Sequence, residues 1–254
     1  MLEICNLTKS YGDKKAVDDL SFSVASGELC AFIGHNGAGK TTTLKCAVGI
    51  LGFDGGSISV DGISVADDPL EVKRRIAYIP DNPDLYDFMT GMQYLNFIAD
   101  VFGVSEEVRR ERIEKYGAAL VLSPEEIGSS ISTYSHGMKQ KLALISAFLH
   151  DPKLILLDEP FVGLDPKASH VLKEIMRAFC EEGGAILFST HILEVAEKLC
   201  DKVVIIRGGK LVTSGSMDEV KGNSSLEDVF LDIDENPEDY EPTPAFGEGD
   251  EDDA

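Results

Sequence analysis

Three short runs of unbroken apolar or small residues stand out along the chain: LCAFI (29–33), LILL (154–157) and AILFST (185–190). Such runs, too short for helices, read as strands buried on both faces of a sheet. Each delivers polar residues at its carboxyl end: a glycine-rich turn, then Asp158 and Glu159, then His191. KVVIIRGG extends the set, followed by a hairpin pattern, GGKLVTSGS, and a short helical pattern, SLEDVFLDI. Residues 2–25 alternate instead, as in LEICNL and VDDLSFSV, which predicts antiparallel strands with one face covered. From about 84 to about 145 the spacing becomes helical, in GMQYLNFIADVFG, EEVRRERIEKYGAAL and GMKQKLALISAFL. The expectation is an α/β fold over residues 1–231. A mostly parallel core sheet is flanked by helices, with an antiparallel β subdomain and an inserted α-helical subdomain (about 84–145).

Composition narrows the classes. The formal net charge is −22, and 232–254 carries 11 acidic residues with no Lys or Arg. That segment lacks core-forming residues and reads as a disordered acidic tail. The remainder is still acidic and has no basic stripe, so no nucleic-acid partner is expected. No apolar run approaches the ~20 residues that cross a bilayer. The opening MLEICNL does not read as a secretory signal, so the expected setting is the cytosol. Five cysteines at scattered positions read as reduced, buried thiols rather than disulfides or a zinc site.

The turn after residue 33 is Gly34-His35-Asn36-Gly37-Ala38-Gly39-Lys40-Thr41, which fits G-x-x-x-x-G-K-[ST], with Thr42 following. Glycines let the backbone curl so that successive N–H groups point at phosphate oxygens, and the next helix presents its positive end to the same anion. Lys40 is suited to the β and γ phosphates, and the Thr41 hydroxyl to Mg²⁺. Asp158 and Glu159 divide the complementary work: Asp158 for Mg²⁺, Glu159 to polarise a water. His191, one strand-and-helix unit further on, stands where a γ-phosphate sensor could stand, although a lone histidine is more often structural.

Together these residues resemble the ATP-binding subunit of an ABC transporter, over roughly 1–231. GHNGAGKTT is similar to the family's Walker A loop, LILLDEP to Walker B, GLDP (163–166) to the D-loop and STH to the switch histidine. The resemblance makes Tyr11 the ring that stacks on adenine; without the other motifs it would be an ordinary strand-end tyrosine. YSHGM (134–138) is similar to the signature sequence, usually Leu-Ser-Gly-Gly-Gln, at the start of a helix over about 137–149. The resemblance implies that Ser135 and Gly137 meet the γ phosphate of ATP held by a different nucleotide-binding domain. A nucleophilic Ser135–His136 pair is the weaker reading, because adjacent side chains seldom face one another and no orienting carboxylate is near.

The resemblance implies ATP and Mg²⁺ as cofactors and catalytic roles for Lys40, Glu159 and His191. It also implies a head-to-tail homodimer, or a dimer with a similar subunit, and a separate transmembrane permease that holds the chain at the inner face of the membrane. The exporter type, including Ecs-like subunits, is the nearer match. Two departures stand out. His136 replaces the first signature glycine, and Met138 the glutamine. Asp81, in YIPDNPDLYDFMT, replaces the usual Q-loop glutamine and is expected to act through the metal. Leu85, Tyr86, Phe88 and Met89 are either subdomain core or a groove for the permease.

Overall fold

The computed structural model describes residues 1–235. Strands β1 (Leu2–Tyr11) and β2 (Lys14–Val24) form a hairpin, and β3 (Leu29–Ile33) leads into α1 (Lys40–Ala47). β4 (Gly55–Val60), β5 (Ile63–Ser64), α2 (Pro69–Arg75) and β6 (Ile76–Ile79) follow. Next come α3 (Gly91–Val101), α4 (Glu106–Ala119), α5 (Pro124–Gly128) and α6 (His136–Phe148), which form the helical insert. β7 (Leu154–Asp158), α7 (Pro166–Glu181), β8 (Ala185–Thr190), α8 (Leu193–Leu199) and β9 (Lys202–Arg207) return to the main sheet. β10 (Lys210–Ser216), α9 (Met217–Lys221) and α10 (Leu226–Glu235) complete the described chain.

Two sheets result. The larger has the order β10-β9-β3-β8-β7-β6, parallel except for the edge strand β10. The smaller is antiparallel, with the order β2-β1-β4-β5. The unbroken apolar runs are explained by two cores, one on each face of the larger sheet. On β3, Leu29, Ala31 and Ile33 enter the core shared with α6 and α7. Cys30 and Phe32 enter the core shared with α1 and the antiparallel sheet, where Phe32 meets Phe22 at 5.3 Å between ring centroids. Every position of β3, β7 and β8 is therefore buried.

Local signals set the helix starts. Thr90, Ser105, Ser123, Ser135 and Asp165 each accept a backbone N–H in the first turn of the helix that follows. α6 begins at His136, one residue before the expected start, and is buried continuously from Gln140 to Phe148. α10 continues to Glu235, so the first four residues of the expected tail, 232–235, are helical. The rest of that tail lies outside the described residues. Of the aromatic segment, Leu85 is core, whereas Tyr86 and Phe88 are exposed and cluster with Tyr94 and Phe97 on α3. Cys30, Cys46, Cys180 and Cys200 are buried free thiols, and Cys5 is partly exposed.

Candidate functional site

The glycine-rich turn joins β3 to α1. Gly39 takes φ 110°, and a Cβ there would lie 2.5 Å from the Ala16 carbonyl oxygen, so only glycine fits. The Lys40 ammonium folds back over its own loop, donating to the Gly34 carbonyl at 2.5 Å and the His35 carbonyl at 3.3 Å. Burial pulls its pKa below the ordinary lysine value, against the opposing pull of the Glu159 and Asp158 carboxylates.

β7 ends at Asp158, which is 2 % exposed. Both of its carboxylate oxygens accept hydroxyls: Thr41 Oγ1 donates to one at 2.6 Å, and Ser189 Oγ to the other. Ser189 sits opposite Asp158 in the parallel β7–β8 register. Its Oγ also accepts the Glu159 N–H at 3.0 Å. Glu159 itself holds φ 48°, left-handed backbone that costs a non-glycine residue roughly 1–2 kcal/mol. That turn aims its carboxylate at His191, with Oε2 to Nδ1 at 2.9 Å. A continuous polar chain thus runs from Thr41 through Asp158, Ser189 and Glu159 to His191.

A cavity of about 360 Å³ opens over this chain. It brings together Tyr11, Asn36, Gly37, Gly39, Lys40, Thr41, Thr42, Asp81, Asp158 and Glu159. An adjoining cavity of about 380 Å³ is bounded by Gly34, His35, Asn36, Glu159, His191 and Phe230 of α10, so Glu159 and Asn36 stand between the two. Ala38 is buried and lines neither. Asp81, two residues beyond β6, accepts the Asn82 N–H at 2.9 Å. Nearby, the Tyr78 hydroxyl is buried with no hydrogen-bond partner among the described residues. Burial, with the Asp158 and Asp81 carboxylates, pushes its pKa up.

Ser135 and Gly137 line neither cavity. Ser135 Oγ accepts the Met138 N–H at 3.2 Å, as an N-cap, and no hydrogen bond joins it to His136 among the described residues. His136 lies against Gly163 instead. A Cβ on Gly163, whose φ is 81°, would meet His136 Cδ2 at 2.3 Å, and a Cβ on Gly137 would meet the Gly163 carbonyl at 2.6 Å. Two further contacts tie α6 to the same segment. Lys141 Nζ reaches Asp165 at 2.9 Å, and Gln140 Nε2 reaches the Pro160 carbonyl at 3.4 Å.

The donor set of Thr41, Asp158 and Asp81 is oxygen only, and no group of three or more His, Cys, Asp or Glu among the described residues forms a metal cage. It fits a hard cation that takes its remaining ligands from water and phosphate, which is the habit of Mg²⁺. The sequence reading missed Ser189 and Lys14, which also lines the first cavity. The signal for Ser189 was its place one residue before the end of β8, on a strand delivering His191 to the same edge.

A parallel sheet, a glycine-rich loop opening a helix, and carboxylates at the strand ends define a P-loop nucleotide hydrolase with a helical insert. Residues 17–162 match the ABC transporter family. The chain is 34% identical over 232 residues to the "ABC-type transporter ATP-binding protein EcsA" of Bacillus subtilis (strain 168), covering 91% of this chain and 94% of that protein. The solved "Structure of ATP binding subunit of ABC transporter" is similar at TM-score 0.88 and 37% identity, over 92% of this chain and 99% of that one. The dimeric post-hydrolysis structure of the ATP-binding cassette MJ0796, bound to ADP and Pi, shares the fold at TM-score 0.79 and 21% identity, over 85% and 99%. The chain belongs to the ABC transporter family, as its ATP-binding, ATP-hydrolysing subunit. No helix among the described residues is long and apolar enough to cross a membrane.

Proposed function

We propose that two copies of this chain close head to tail around two ATP molecules and drive a separate transmembrane permease, with export as the direction. The observation that carries the reading is the polar chain from Thr41 to His191, which places a carboxylate–imidazole pair beside the phosphate loop. Tyr11 takes the adenine ring. The N–H groups of residues 34–42 and the Lys40 ammonium take the phosphates, with Lys40 released from the Gly34 and His35 carbonyls. Thr41, Asp158 and Asp81 would hold Mg²⁺, which would supply positive charge to offset that of the phosphates. Glu159 accepts the proton of the attacking water, and His191 holds the γ phosphate and the Glu159 carboxylate in place.

Ser135 and Gly137 point to action in trans, because both lie outside their own chain's cavities yet sit at the N-terminus of α6. A twofold pair gives two complete sites. The dimeric MJ0796 cassette offers a precedent in a protein of the same fold. For the permease, the exposed Tyr86, Phe88 and Phe97 form an aromatic patch close in sequence to Asp81. Such patches mark protein-binding surfaces.

The test is the Glu159→Gln protein. Expected are a turnover loss of roughly 10²–10⁴-fold and a dimer mass that appears with ATP. Turnover at the wild-type rate would overturn Glu159 as the base. A strict monomer with ATP, even beside its membrane partner, would overturn the shared site.

A further inference from the structure

The ATP cavity has a second cation that no motif accounts for. Lys14 opens β2 and is the cross-strand partner of Tyr11 in the β1–β2 hairpin. It lines the cavity with Tyr11 and Ala16, across from Gly37, Gly39 and Thr42 of the phosphate loop. Its neighbours are engaged elsewhere. Lys15 pairs with Asp18 at 2.7 Å, and Lys9 pairs with Asp54 at 3.7 Å while lying 5.6 Å from the Tyr11 ring centroid. Among the described residues the Lys14 ammonium has neither an ion-pair nor a hydrogen-bond partner. In a protein of net charge −22, an unpaired lysine at the rim of an anion cavity is a feature that asks for a ligand.

The cavity's polarity says which ligand atoms it meets. Lys40 sits in the field of Asp158 and Glu159, and Thr41 contacts Asp158, so that end takes the terminal phosphates. Tyr11 marks the base end, half exposed with one ring side approached by Lys9. The phosphate nearest a base stacked on Tyr11 is the α phosphate, and Lys14 is the cation at that end.

We propose that Lys14 is a nucleotide-binding residue whose ammonium contacts the α phosphate, so that it contributes equally to ADP and ATP binding. The proposal rests on the ATP reading of this cavity and adds a contact to it. The contact forms at an exposed position, where a single charge pair is worth up to roughly 1 kcal/mol, or up to about fivefold in Kd. It is screened by salt.

The experiment is calorimetric titration of the full chain with ADP and with ATP, without Mg²⁺ to prevent turnover, at low and high ionic strength. Lys14→Ala is expected to weaken ADP and ATP alike, by about two- to fivefold at low salt and by less at high salt. Lys14→Arg restores affinity. Lys15→Ala, which removes another exposed charge outside the cavity, leaves it unchanged. Unaltered ADP binding by Lys14→Ala overturns the proposal, and so does a loss confined to ATP. An equal loss in Lys15→Ala reduces the effect to general charge and overturns it too. A wild-type chain that binds neither nucleotide overturns the ATP reading and this contact together.

Discussion

Glu159 Oε2 and His191 Nδ1 stand 2.9 Å apart at the carboxyl ends of β7 and β8. The imidazole is 61 % exposed and the carboxylate 16 %, so the histidine faces solvent while it fixes the carboxylate from outside. In the proposed mechanism His191→Ala removes the group that orients the base, at an exposed position outside the core. Expected is a fall in ATP turnover of roughly 10²-fold or more, with nucleotide affinity changed little. Steady-state ATPase assays beside equilibrium binding separate the two. Equal losses in both would reassign His191 to binding.

Asp81 lines the cavity, and the proposed function gives it a place beside the metal. A carboxylate ligates Mg²⁺ more strongly than an amide does. Asp81→Gln is therefore expected to raise the Mg²⁺ concentration needed for half-maximal turnover by several-fold. A titration of ATPase rate against Mg²⁺ reads this directly. An unchanged midpoint and rate would place Asp81 outside the metal's reach.

Gly163 and His136 interlock the segment between β7 and α7 with the start of α6. Gly163→Ala meets two costs: the left-handed backbone, roughly 1–2 kcal/mol, and the collision with the His136 ring. His136→Gly removes only the second. The double variant should recover part of the stability lost in Gly163→Ala, and denaturant midpoints of the four proteins give the coupling. Strict additivity would mean that the ring simply swings away.

His150 stacks on Phe102 at 3.7 Å between centroids, and its Nε2 lies 3.1 Å from the Ile76 carbonyl oxygen. Burial lowers its pKa, outweighing the carbonyl and Asp151, and nearby Arg112 adds to the lowering. The unfolded chain therefore takes up this proton first as pH falls. Stability is lost from the ordinary value of 6.5 downward, through the depressed folded value, and nothing is lost above it. His150→Gln, which keeps a donor for Ile76, is expected to flatten the pH dependence of the urea midpoint below about pH 6.5 relative to wild type. Parallel curves would show that His150 takes up its proton equally in the folded and unfolded states, with no depression by burial.

The sequence alone determined the architecture and the phosphate loop because both are written in local terms. A strand buried on two faces has to be apolar at every position, and a backbone that cradles phosphate has to carry glycines at fixed spacing. β3, β7 and β8 were legible for the first reason, residues 34–41 for the second. The end of α10 was not, because Asp232 and Glu235 look like tail until Ile233 is seen buried in the core.

What only the tertiary structure decided depends on register and on approach between distant segments. Ser189 reaches Asp158 across 31 residues because β7 and β8 pair in parallel at that register, and no local pattern encodes which residue lands opposite which. Lys14 enters the cavity because Gly39 lets the phosphate loop come against Ala16, two residues beyond it. Glu159 turns toward His191 through a left-handed backbone that its side chain disfavours. Packing around the strand ends holds that conformation, and the stretch read in isolation would not adopt it.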